Sequence, residues 1–257
     1  MDTAEAIRRI RLITPMIRKD VETADLSSVV MHAANSTIPK GLAGTSTPFA
    51  NTYLAGQNAF ALKLAMDLAR IFDLSESKRY PPEEQDKASI PVLAALFRKP
   101  DVQEGLAQGA EEWVSSIGHV TAGSAPPDVL EADLKSFKER RRSQSREVCR
   151  KAITDFLALA LRLEVEDSKE KAALVRIREF RNCRLAHSLF DKEPDAPPKY
   201  ADLDLFLDVA KEAAKHASLA VEGHNTDFND LAQEDRRNAD DCYACVLDGL
   251  KRAARSQ

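Results

Sequence analysis

The sequence predicts an all-α protein, a bundle of about eight helices, on three observations. Ala, Leu, Arg, Lys, Glu and Asp dominate, whereas the 257 residues hold only 9 Gly and 15 aromatics, a mix that favours helices over pleated strands. Apolar residues recur at intervals of three and four along most of the chain. The breaks in that pattern fall at clusters of Pro, Gly, Ser and Asn. A composition 44% hydrophobic and 30% charged is that of a folded chain with a real core, and an all-β fold is excluded. One domain covering residues 1–257 is expected, with residues 1–50 as an N-terminal helical extension.

The first two helices are expected to flank Pro15, the second ending before a loop from Asn35 to Thr47 that carries Ile38-Pro39-Lys40-Gly41. A third helix is expected over about Asn51 to Phe72, with Leu54, Phe60, Leu64, Leu68 and Ile71 on a broad apolar face. Ser75 to Lys87, with Pro81-Pro82 and dense charge, reads as a mobile loop. Ser89 before Ile90-Pro91 starts a short helix through Arg98, and Asp101 caps another that ends near Gly118. Neither Pro nor Gly occurs from Asp128 to Glu166, which predicts one long helix whose polar first half projects into solvent. Ser168 caps the next, and Pro194, Pro197 and Pro198 mark the loop after it. Asp202 opens a helix to about Val221, and Asp227 opens the last, to about Arg255.

Several functional classes are excluded or weakened. Four cysteines, Cys149, Cys183, Cys242 and Cys245, make no disulfide framework in a chain this long, so reduced thiols in a cytoplasmic setting are expected. The N-terminus shows no basic segment followed by an apolar one, so no export signal is expected. The longest uncharged stretch, Gly41 to Leu62, is broken by Pro48, Asn51, Gln57 and Asn58, which argues against membrane insertion. Neither GxxxxGK[ST] nor GxGxxG is present, against an NTPase or dinucleotide enzyme. Cys242-Tyr-Ala-Cys245 is a lone CxxC and His32, His119, His216 and His224 are scattered, so no metal and no cofactor are expected.

The net charge of −4 hides a strong asymmetry. Lys135 to Lys151 carries +6, and Ser168 to His187 carries +4, leaving −14 for the rest of the chain. Basic segments of this kind attract a polyanion, because Lys and Arg contacts to phosphate release condensed counterions. A solvated helix face has the same composition. Only nearness to chemistry separates the two readings.

The most informative stretch is Arg178-Glu-Phe-Arg181-Asn182-Cys-Arg184-Leu-Ala186-His187-Ser188. Guanidinium groups that never lose their proton stand beside an imidazole that titrates near neutrality. That pairing suffices in principle to cleave RNA: the histidine moves a proton at the ribose 2′-hydroxyl or the leaving oxygen, and an arginine offsets charge building on the phosphate. At α-helical spacing, the stripe Ala173, Ile177, Phe180 continues to Arg184 and His187, with Arg181 to one side. Polar groups so placed are either satisfied internally, His187 complementing a helix end, or presented to a partner or cleft.

Arg181-Asn182 followed by four residues and His187 resembles the signature of HEPN domains, a helical family of RNases and inactive relatives. The segment Gly56 to Asp73 and the later Ser89-Ile-Pro-Val-Leu resemble the abortive-infection U-type branch of that family. The resemblance covers about half the chain and implies a HEPN-like four-helix core, commonly dimeric, with two copies of the motif facing across a composite cleft. By matching position it implies that Arg181 stabilises phosphate, Asn182 orients groups or contacts RNA, and His187 transfers protons. It further implies 2′,3′-cyclic phosphate and 5′-hydroxyl ends without a metal. RNA contacts are expected at Arg178, Arg184 and Ser188 and at Arg140, Arg141 and Arg142, with a homodimer through the Arg181 to His187 face and an antitoxin or defence partner. The leading expectation is thus a metal-independent endoribonuclease or toxin. The alternatives are a catalytically silent interaction module, as some family members are, and a nucleotide-binding regulator.

Overall fold

The computed structural model describes residues 1–43, 50–75, 79–114, 127–186 and 198–255, and among them there are eight α-helices and no strand. In order these are α1 (Thr3–Gly41), α2 (Ala50–Ile71), α3 (Ile90–Phe97), α4 (Pro100–Gly109), α5 (Pro127–Arg162), α6 (Lys169–Phe180), α7 (Tyr200–Glu222) and α8 (Phe228–Arg255). Two 3₁₀ turns, Pro82–Glu84 and Ala110–Val114, and a π-helical segment, Arg181–Ala186, complete the description.

The first two expected helices are one. Pro15 removes an N–H and crowds the carbonyl four residues back, a cost of about 3 kcal/mol inside a helix. Yet α1 runs unbroken past it to Gly41, through Ile38-Pro39-Lys40 as well. The reason lies in burial: Ile10, Ile13, Ile17, Val21, Ala24, Met31 and Ile38 fall at helical spacing on both sides of Pro15, all at most 6% exposed. Each buried Ile or Val contributes about 1.5–3 kcal/mol, so the stripe outweighs the proline.

The chain forms two compact units, neither a continuous stretch: Met1–Arg18, Asp73–Glu164 and Glu212–Thr226 in the first, and Lys19–Phe72, Val165–Lys211 and Asp227–Gln257 in the second. In the first, Phe97 meets Phe156 edge to face at 5.1 Å between ring centres, among Ile10, Ile90, Leu93, Val102 and Ile153. In the second, Phe72 meets Phe206 the same way at 4.7 Å, among Leu64, Leu68, Ile71, Ala173 and Ile177.

Most predicted helix starts are met. The Ser168 hydroxyl accepts from the Lys171 amide at 3.0 Å, and Asp227 Oδ1 accepts from the Asn229 amide at 2.9 Å. Asp101 and Asp202 are exceptions: Lys99 precedes the first turn of α4, within which Asp101 accepts from the Thr3 hydroxyl of α1, and α7 begins at Tyr200 with Asp202 inside its first turn. The expected end of that helix, Gly118, lies outside the described residues, but α4 already gives way to 3₁₀ geometry after Gly109. The described part of the Ser75 to Lys87 connection is tied down rather than loose. Buried Gln85 accepts from the Ser75 amide at 2.7 Å and donates to the Tyr80 carbonyl at 2.8 Å, and Arg9 donates to the carbonyls of Glu83 and Gln85.

Candidate functional site

The motif begins where α6 changes its winding. The helix is sound up to Phe180: Ser168 caps it, and Ala173, Leu174 and Ile177 are buried. Arg178 donates to the Phe72 carbonyl at 2.6 Å, just past the end of α2, satisfying an orphan carbonyl and placing a cation at a helix C-terminus. From Arg181 to Ala186 the backbone turns π-helical, the wider i→i+5 winding that is rare and concentrated at functional sites.

The expected inner stripe rests on α-helical spacing, which the backbone keeps only to Phe180. The α-helical spacing that would carry the inner stripe from Phe180 to Arg184 and His187 stops at Arg181, and the next buried residue is Cys183, 3% exposed. Cys183 therefore fills a packing position, in keeping with a free thiol in a core. Arg181 is half-buried and Asn182 exposed; Arg181 Nε and Nη2 donate to Asn182 Oδ1 at 3.1 and 3.0 Å. The pair is a preformed unit: a planar guanidinium held by its neighbour's carbonyl, with the Asn182 NH₂ as a further donor. The backbone of Arg184 lies in the π-helix, its side chain outside the described part; His187 and Ser188 lie outside the described residues.

The basic segments divide into engaged and open cations. Near the motif, Arg176 makes a two-pronged pair with Asp202, Nη2 to Oδ1 at 2.5 Å and Nε to Oδ2 at 2.9 Å, and Lys171 pairs with Glu166 at 3.0 Å. Asp202 also accepts from the Lys199 amide at 2.8 Å, and these hydrogen bonds, Arg176's above all, hold its carboxyl below the usual range. On α5, Arg146 pairs with Glu104 at 3.0 Å and Glu111 at 3.4 Å, Arg150 with Glu104 at 2.6 Å, and Lys151 with Asp155 at 2.8 Å. These are built into the fold of the first unit. By contrast Lys135, Lys138, Arg140, Arg141 and Arg142 are exposed and, among the described residues, have no carboxylate within 4 Å. Arg141 instead reaches Gln144 at 3.2 Å and lies over the Phe137 ring at 5.9 Å. The polar first half of α5 is thus exposed from Asp133 to Gln144, as its sequence predicts.

A model of the AbiU2 family, a HEPN family, matches residues 20–242, most of the chain and all of the motif. The chain belongs to the AbiU2 family of HEPN domains. No curated protein and no solved structure matches it. The AbiU2 span starts within α1, and Val21, Ala24, Met31 and Ile38 belong both to the matched span and to the buried set.

The other candidates recede on geometry. Cys149 is fully buried, donates to the Ala220 carbonyl at 3.3 Å, and is pushed by burial up to about 11, the wrong direction for a nucleophile. Cys242 and Cys245 are exposed on α8, and among the described residues no three His, Cys, Asp or Glu side chains are grouped to hold a metal ion. No described helix is long and apolar enough to cross a membrane. Sequence reasoning missed two features near the motif. One is the Arg176–Asp202 clamp, signalled only by an acid in a first turn. The other is the π-helical winding, which has no signature in residue type.

Proposed function

We propose that this AbiU2-family protein is a cytoplasmic endoribonuclease of abortive-infection type, needing no metal, with Arg181, Asn182 and His187 as its reactive set. The observation that carries the reading is the Arg181–Asn182 unit at the π-helical end of α6, two residues before the motif's second arginine and five before its histidine. The ribose 2′-oxygen attacks the adjacent phosphorus, the P–O2′ bond forms and the P–O5′ bond breaks. His187 removes the 2′-hydroxyl proton or delivers one to the departing 5′-oxygen. Arg181 offsets the charge that grows on the non-bridging oxygens. The products are a 2′,3′-cyclic phosphate and a 5′-hydroxyl. Arg184 and Ser188 extend the contact, Arg178 supports it from the α2 end, and Arg140, Arg141 and Arg142 supply open cations for phosphate elsewhere on the strand. A homodimer through the Arg181 to His187 face pairs two such sets, and an antitoxin or defence partner restrains them.

Purified protein is incubated with labelled tRNA and a structured mRNA in EDTA, beside His187→Ala and Arg181→Ala. The proposal predicts cleavage by the wild type, loss of at least about a hundredfold in both variants, and unchanged melting temperatures. A wild type that does not cleave, or variants that cleave equally, overturn it; a silent protein whose variants change only association is the interaction module instead.

A further inference from the structure

Beside the motif the second unit holds an open cavity of about 420 Å³. It is lined by Asn58 and Leu62 of α2, Phe180 at the end of α6, and Pro198, Tyr200 and Leu203 at the start of α7. Two of its walls are rings. Tyr200 is 50% exposed and Leu62 is 39% exposed, so apolar surface here stays in water although a core lies directly beneath, with Leu203 and Ala65 buried. The one side-chain amide in the lining, Asn58, offers a donor and an acceptor together. A flat ligand with apolar faces and a hydrogen-bonding edge matches that set, and a nucleobase is such a ligand.

The placement bears on which position of the strand supplies the base. Phe180 is the residue immediately before Arg181, about 3.8 Å away along the backbone. Phe180 thus lines the cavity and adjoins, along the chain, the turn that carries the Arg181–Asn182 unit. The guanidinium favours a polyanion over an apolar peptide, and stacking on rings is tolerant of base identity while demanding that the base be unpaired. Resting on the nuclease reading above, we propose that this cavity is a base-stacking subsite, in which Tyr200 and Phe180 receive one unpaired base of the RNA strand whose phosphate lies at Arg181. The protein accordingly selects single-stranded RNA over duplex. Tyr200 touches the substrate without taking part in proton transfer.

The test uses the full chain carrying His187→Ala, which binds without cutting, and a fluorescein-labelled RNA octamer read by anisotropy. Tyr200→Ala is expected to weaken binding about tenfold, the loss of one stacked base. Tyr200→Phe keeps the ring and is expected to bind as the parent does. An octamer with an abasic position is expected to bind the parent as weakly as the intact one binds Tyr200→Ala, and to lose nothing further when both changes are combined. Unchanged affinity in Tyr200→Ala, equal binding of a duplex, or no RNA binding by the parent overturns the subsite. So does a drop in oligomer mass in Tyr200→Ala, which assigns the cavity to a second copy of the chain. The nuclease reading fails separately: Tyr200-dependent binding without wild-type cleavage leaves the subsite and removes the nuclease. Wild-type cleavage with kcat and KM unchanged in Tyr200→Ala does the reverse.

Discussion

Asp202 accepts from Arg176 twice and from the Lys199 amide, and so joins α6, which ends in the motif, to the start of α7. Both side chains are largely buried, 9% exposed for Asp202 and 28% for Arg176. Asp202→Asn keeps the volume but loses the charge-assisted bonds, and about 2 kcal/mol of unfolding free energy is expected to go with them in chemical denaturation. Because the folded pKa is depressed, this contribution is complete above the ordinary carboxylate range. It is lost as the pH falls through the lowered folded value. The wild type should therefore lose stability below about pH 4 more steeply than Asp202→Asn; parallel acid limbs contradict the assignment. At the same scale, Arg181→Ala should abolish cleavage. Arg184→Ala tests the α-helical geometry that favours Arg184: activity retained there and lost in Arg181→Ala supports the role that the HEPN motif gives Arg181, and the reverse supports Arg184. Arg181, Asn182 and His187 were singled out in the sequence by their resemblance to the HEPN signature, an arginine and a polar residue followed at a set interval by a histidine. Their backbone geometry was not legible there, since no residue type announces a π-helix and the stripe read along α6 assumes an α-helical winding that ends at Phe180.

Among the elements, α1 shows where local rules yield to burial. Pro15 and Pro39 each argue for a break, and a reading based on turn residues places two there. The buried stripe from Ile10 to Ile38 decides otherwise, and it too was in the sequence, at the same spacing on both sides of Pro15. Pro15→Ala restores a helical N–H and is expected to stabilise the protein by about 2 kcal/mol, the helix gain reduced by a more flexible unfolded chain. Destabilisation on denaturation would show that α1 depends on a bend at Pro15. The end of α7 is the opposite case, a stop that the sequence marks with glycine. Gly223 has φ of 70°, its amide bonds the Leu219 carbonyl at 3.2 Å, and a Cβ there would come within 2.7 Å of the Trp113 indole. Gly223→Ala is expected to cost about 1–2 kcal/mol from the left-handed conformation alone, and to shift the emission of Trp113, the single tryptophan, as the ring gives way.

For the whole molecule, the AbiU2 assignment and the all-α class agree with the composition and the 3.6-residue periodicity, both of which are long-range averages that survive local errors. What averages do not reveal is which cations are spent on the fold. The +6 segment on α5 is uniform in sequence, yet Arg146, Arg150 and Lys151 neutralise carboxylates while Lys135 to Arg142 stand open. If the open group meets RNA, replacing Arg140, Arg141 and Arg142 with alanine lowers the slope of log K against log salt by about 2, three cations at about 0.7 each on a single strand. The same replacement of Arg146 and Arg150 should lower stability instead. The measurement that bears most directly on the central claim is the chemistry of the ends left on labelled RNA after incubation with the wild-type protein in EDTA. Fragments carrying 2′,3′-cyclic phosphate and 5′-hydroxyl ends, absent with His187→Ala, are the result predicted; intact RNA, or 3′-hydroxyl and 5′-phosphate ends, contradict it.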